Sequence, residues 1–283
     1  MFPKPIQKRS TATGIAYRVA VPVVLLLWLL PLIAVFLTSI RSLADINAGN
    51  YWGMPSQLSL IENYAAVFQQ TPMLRYLINS LVITIPAVAG AIALATIAGF
   101  ALAKYRFRGN ILLFALFVGG NFVPFQILMV PVRTFSLHLG LYDTYWALIL
   151  FHMAFQSGFC VFFMRNFIAE LPDDLLEVAR TEGVGEFKIF IYIILPLVRP
   201  ALAALSVLIF TYVWNDYFWA LVLVQSDSVR PVTTALQTLQ GHFTASWQLV
   251  SAAAIIAALP PVALFFAMQR HFVAGLTLGA TKG

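Results

Sequence analysis

Cysteine and charge are what this sequence has least of. A single cysteine, Cys160, in 283 residues leaves no intramolecular disulfide and no thiolate metal cluster. The four histidines, His138, His152, His242 and His271, build no metal-type spacing, so no metal site is expected. Only 10% of the residues are charged while 61% are hydrophobic, against about 25% charged in soluble domains. A soluble monomer could not cover that much apolar surface, and a disordered chain is charged rather than apolar. What remains is a polytopic membrane protein. The net charge of +6 would suggest nucleic acid in a soluble chain. Here the basic residues flank apolar runs, where they set orientation instead, and no nucleic-acid partner is expected.

A helix needs about 20 apolar residues to cross a bilayer core. Charge-free runs cover 19–40, 76–103, 109–132 and 144–164, a fifth run is interrupted only by Asp216, and a sixth covers 249–268. They predict an all-α chain with six spans, near 19–40, 77–103, 110–132, 144–164, 198–225 and 249–269. These form one transmembrane domain over 19–270, between an N-terminal segment 1–18 and a tail 271–283. The first run is too long for a signal-peptide core of about 7–15 residues and is expected to be retained, kinked at Pro22 and Pro31. With residues 1–18 inside, 13 of the 17 Lys and Arg lie inside and only Arg41, Arg75, Arg133 and Arg230 lie outside. The excess predicts that both termini are cytoplasmic.

Within the second span Ala87, Ala91, Ala95, Gly99 and Ala103 recur every fourth residue. Such a stripe lets another helix approach closely, a main source of association in lipid.

The inside stretch 165–196 is not a simple connector. It holds Glu170, Asp173, Asp174, Glu177, Glu182 and Glu186, six of the eleven acids. Pro172, Asp173 and Asp174 suit a helix start, and Gly183 suits a left-handed helix end. A second amphipathic piece follows from Glu186 to Ile194, with Pro196 expected to stop it. Anionic head groups would repel an acidic surface, so a protein partner fits better than the membrane surface.

Glu177-Val178-Ala179, then Gly183, then Ile193-Ile194-Leu195-Pro196 resembles the "EAA" loop of bacterial ABC-transporter permeases. Val178 replaces the usual first alanine, and Glu182 stands where aspartate is common. Asn79-Ser80, the run from Ala103 to Gly109, Pro131, the run from Leu139 to Thr144, Trp214-Asn215-Asp216 and the ending from Gln269 to Gly283 look like carbohydrate-importer permeases of the maltose-permease type. The likeness covers nearly everything after about residue 60.

The resemblance implies a multi-pass protein of the bacterial inner membrane, working by alternating access. It implies a second homologous permease subunit, two ATPase subunits on the cytoplasmic face and an extracytoplasmic solute-binding protein. By position, Glu177, Ala179, Glu182, Gly183, Leu195 and Pro196 would couple to the ATPase, and Gly275, Gly279, Lys282 and Gly283 of the tail would touch it. The external stretch 225–248, with a short helix expected from Thr233 to Gln240, would face the binding protein. No Gly-x-x-x-x-Gly-Lys-Ser/Thr occurs, so no catalytic residue is assigned, no cofactor is expected on this chain, and ATP and Mg belong to partners.

Asp216 is the one acid deep in a span, and such charges face a cavity or a partner. It could line a solute path with Trp214, Asn215, Tyr217 and Trp219, or serve packing near an interface where Trp and Tyr also collect. Asn121 and Gln126 in the third span are further path candidates, or helix–helix glue. A secondary transporter would show inverted repeats and midplane ionisable groups, and a membrane enzyme would cluster His with acids. The sequence favours neither.

Overall fold

The structure, a computed structural model, describes residues 11–240 and 246–278. Its helices are α1 (Thr11–Ser39), α2 (Leu43–Asn47), α3 (Leu60–Gln70), α4 (Met73–Lys104), α5 (Asn110–Gly120), α6 (Met129–His138), α7 (Tyr145–Ala169), α8 (Asp174–Thr181), α9 (Glu186–Ile189), α10 (Leu195–Leu197), α11 (Arg199–Trp214), α12 (Phe218–Leu223), α13 (Val232–Ala235) and α14 (Trp247–Leu278). Four helices are long and apolar enough to cross a membrane, or six if each of two bent pairs is one span. Among the described residues there is no strand beyond an isolated bridge between Arg41 and Leu58.

Several boundaries differ from the sequence expectation. The third span is not one helix: Asn110–Gly120 and Phe125–His138 meet at 89°. Gly119 and Gly120 weaken the helix there, and Pro124 cannot continue it. The fifth span ends at Trp214 and resumes only at Phe218, where the Asp216 carboxylate turns to the backbone N–H groups of Trp219 and Ala220. Pro196 does not stop the second loop helix. Phe190–Ile194 widens into a π turn in which Leu195 N–H reaches Phe190 O. The chain then runs through Pro196, and a 73° bend follows at Val198. At the other end α14 continues to Leu278, past the expected end near 269.

The chain forms two compact units, one holding residues up to Met73 with Leu236–Ala258, the other Leu74–Ala235 with the segment from Leu259. In the first unit no residue in the most apolar 18-residue stretch of α1 is buried. That suits a helix facing lipid on most of its surface. Residues 41–72, between the first two spans, fold through long-range polar bonds. Asn63 Nδ2 donates to Ser39 O at 2.9 Å and Arg41 O at 2.8 Å, Ser59 N–H reaches Ile40 O at 2.9 Å, and Ser56 N–H reaches Asp45 Oδ2 at 2.9 Å.

In the second unit the small-residue stripe of α4 faces the core, and α4 meets α7 closely at Gly99. Ala87, Ala91 and Ala95 are fully buried. A Cβ on Gly99 would stand 2.9 Å from Arg165 N and 3.1 Å from Met164 Cβ, so only hydrogen fits there. The core they border includes Met164 and Ile168 of α7, Leu205 and Ile209 of α11, and Leu176 and Ala179 of α8. α8 is therefore anchored by its apolar side.

Candidate functional site

The loop from Arg165 to Pro196 becomes a short helix on a fixed base. Asp173 O accepts the first N–H groups of α8, from Leu176 and Glu177. Gly183, at φ +77°, ends it, with its N–H on Arg180 O and the Val184 N–H on Ala179 O, both at 3.0 Å. The left-handed turn is where glycine carries no Cβ penalty. Leu176 and Ala179 turn inward, at 1% and 8% exposure, while Val178 stands 64% exposed. Glu177, Glu182 and Gly183 lie on the exposed side, Leu195 is half-buried at the bend, and Pro196 is exposed. The six residues singled out in the sequence thus divide: four surround α8, and two lie beyond the π turn.

Charge ties this loop to the end of α4. Lys104 Nζ donates to Leu171 O and to Asp173 Oδ1, each at 2.6 Å. Arg180 Nε meets Glu186 Oε1 at 2.7 Å, and the Tyr105 hydroxyl donates to Glu186 Oε2. The Lys104 ammonium holds the Asp173 carboxyl below its ordinary range. Arg180 first, then Tyr105, do the same for Glu186. Lys104 counted in the sequence as an orientation marker and within the Ala103–Gly109 run of the resemblance, Arg180 as an orientation marker alone, and the i,i+6 spacing of Arg180 and Glu186 across a glycine was the local signal of that pair.

The break in the fifth span makes the second feature. Asp216 Oδ2 accepts the Ala220 N–H at 3.0 Å, Oδ1 accepts the Trp219 N–H at 3.3 Å, and His152 Nε2 lies 3.5 Å from Oδ2. The Thr233 hydroxyl donates to the Asp216 carbonyl at 2.6 Å. Asp216 thus satisfies the free N–H groups that open α12. A cavity of about 560 Å³ lies alongside, lined by Asn215, Asp216, Tyr217, Thr211, Tyr212 and the aromatic rings of Phe125, Phe218, Trp219 and Phe265 among others. Trp214 is instead buried at 2% exposure. Asn121 is exposed, with its amide donating to Phe117 O at 3.0 Å on its own helix, and Gln126 is exposed too. Neither lines this cavity. His152, 2% exposed at the side chain, escaped the sequence reading because its partner lies 64 residues away.

The motif pieces of the opposite end also meet. Asn79 Nδ2 donates to Ser228 O at 3.1 Å and Arg230 O at 2.9 Å, and Tyr145 Oη donates to Asn79 Oδ1 at 2.7 Å. Ser80 Oγ accepts the Val232 N–H at 2.9 Å. Asp143, at φ +62°, accepts the N–H groups of Gln225 and Ser226. The short helix expected from Thr233 to Gln240 is present as α13 and a 3₁₀ turn, Leu236–Gln240.

Gly275 lies within α14, and Gly279, Lys282 and Gly283 lie outside the described residues. Among the described residues no three His, Cys, Asp or Glu groups come together as a metal site.

A helical bundle with broken spans, an anchored helix between two spans and a polar break facing a cavity is an architecture that membrane permeases use. The chain belongs to the family of binding-protein-dependent transport system inner membrane components, whose profile matches residues 91–278. It is a permease subunit of an ABC importer. It is 36% identical over 270 residues, 93% of this chain and 91% of the relative, to the osmoprotective compounds uptake permease protein GgtD of Synechocystis sp.. It is 34% identical over 256 residues, 89% and 91% of the two chains, to the arabinooligosaccharides transport system permease protein AraQ of Halalkalibacterium halodurans. A chain of a solved bacterial ABC transporter involved in importing the acidic polysaccharide alginate shares the fold, with a TM-score of 0.76 at 21% identity over 96% of this chain and 99% of that one.

Proposed function

We propose that this subunit imports a carbohydrate or related polyol and is driven through α8 by a separate pair of ATPase subunits. The observation that carries the reading is the division of α8. Leu176 and Ala179 anchor it to the bundle, while Glu177, Val178, Glu182 and Gly183 face outward at the family's loop position. A rigid apolar anchor transmits displacement, and exposed carboxylates select a cationic partner surface. ATP and Mg then belong to the ATPases, with a related permease subunit completing the pathway and a solute-binding protein delivering the solute at the opposite end. The excess of basic residues on the α8 side supports an orientation in the inner membrane with both termini and α8 in the cytoplasm. Arabinooligosaccharide transport by AraQ supports a sugar. So does a cavity joining aromatic faces to the Asn215 amide and to tyrosine hydroxyls.

The test is co-purification of the ATPase with the Glu177→Arg and Gly183→Val variants, alongside ATP-dependent uptake. Loss of association, with uptake down at least about tenfold for each 1.4 kcal/mol of docking energy removed, is expected. Intact association and uptake in both variants would sink the reading.

A further inference from the structure

We propose that Lys104 and Tyr105 lock the loop carrying α8 to the end of α4, so that the loop and α4 move as one body during transport. The proposal rests on the reading of α8 as the ATPase-facing helix and adds which span receives its motion.

The contacts form two separate fastenings. Lys104 closes α4, and its side chain is 4% exposed although it carries a charge. Its ammonium is spent on Leu171 O and on Asp173 Oδ1, the segment that opens α8. Tyr105 follows directly, its ring edge-on to Phe100 at 5.4 Å and under the Arg180 guanidinium at 5.6 Å. Its hydroxyl and Arg180 converge on Glu186, so α8 and α9 are both held from one point. Asn110 Nδ2 donates to Leu102 O at 3.1 Å and Tyr105 O at 2.9 Å, satisfying carbonyls that a helix end leaves free. The end of α4 is thus fixed rather than frayed.

The consequence is mechanical. α4 has 32 residues, a length of about 48 Å at 1.5 Å per residue, which is enough to span the bilayer core. It also packs on α7 through Gly99 with no room for a side chain. A push on α8 would reach α7 through the chain itself. The side-chain hydrogen bonds that join the loop to the end of α4 run through Lys104 and Tyr105, beside the apolar core that α8 and α4 share.

The experiment uses the whole importer in proteoliposomes with Lys104→Met, Tyr105→Phe and the double variant. Expected are an intact ATPase complex, retained ATP hydrolysis, and solute moved per ATP reduced by about tenfold in the double variant, within the range of ordinary coupling energies. An unchanged ratio overturns the proposal. So does loss of the ATPase, which would make these residues part of docking rather than of transmission. Spin labels at Arg106→Cys and Lys188→Cys give an independent reading on an otherwise unaltered clamp. One distance, the same with and without ATP, is expected, and a distance that changes between the states overturns the proposal. Failure of the docking reading shows elsewhere, as intact association in the Glu177 and Gly183 variants.

Discussion

Asp143 is bonded to Ser226 twice, accepting its backbone N–H at 2.8 Å and its hydroxyl on the other carboxylate oxygen. One residue thereby joins the turn ahead of α7 to the segment after α12, 83 positions later. It does so from φ +62°, a conformation asparagine, aspartate and glycine tolerate best.

That pairing predicts an order of stability. Asp143→Asn keeps an acceptor and tolerates the backbone. Asp143→Gly keeps only the backbone, and Asp143→Ala keeps neither. Bonds to a charged group are worth about 1.5–3 kcal/mol when buried, and partial exposure here brings the figure toward the lower end. Apparent melting temperature in detergent is expected to fall in the order Asn, Gly, Ala, and a wild-type value for Ala would refute the assignment. The pH dependence has a definite sign. Burial pushes the Asp143 carboxyl up, but the Ser226 and Gln225 hydrogen bonds outweigh it and hold it below its ordinary 3.8. A depressed carboxylate stabilises above the unfolded value and loses that contribution as pH falls through the folded one. Its share of stability is therefore level at neutral pH and declines only below about pH 4, and Asp143→Asn is expected to flatten the decline.

Two glycines of α4 predict opposite outcomes for the same substitution. At Gly99 an added Cβ meets the α7 backbone, Arg165 N at 2.9 Å, which cannot yield without separating the helices. At Gly90 it meets the terminal methyl and sulfur of Met153, which swing aside. Gly99→Ala is expected to cost about 1–3 kcal/mol as overpacking, while Gly90→Ala is expected to be near neutral or better. Melting temperatures of the two variants in the same detergent decide it, and equal losses would mean the α4–α7 approach is looser than described.

Asp216 gives the third. Its carboxylate takes the Trp219 and Ala220 N–H groups, so Asp216→Asn preserves an acceptor and Asp216→Leu strips the first turn of α12. Removal of such a cap costs about 1 kcal/mol. Asn is expected to retain expression and most uptake, and Leu to lose stability first. Were Asn to lose uptake as fully as Leu at normal stability, the charge itself would be what the cavity needs.

What could be read in advance follows from range. Spans, the amphipathic α8 and the left-handed Gly183 depend on residues within a turn or two, where hydrophobic periodicity and cap chemistry act. The small-residue stripe gave the face of α4 that packs, and Gly99 bears it out at atomic distance. The breaks were harder to see. Gly119, Gly120 and Pro124 sit in an unbroken apolar run, and apolarity measures burial rather than helical continuity. The fold of residues 41–72 leaves no local pattern because Asn63, Asp45 and Arg41 stabilise it through backbone groups up to 24 positions away.

By itself the sequence determined that the chain is a helical membrane protein, where its long apolar runs lie, and where the acidic loop lies, because scarce charge and local pattern fix these. The tertiary structure alone decided the pairings: Asp143 with Ser226, His152 with Asp216, Lys104 with Asp173, and Tyr105 with Glu186. A polar group's partner is chosen by proximity in the fold, and separations of 64 to 83 residues leave no local trace of it.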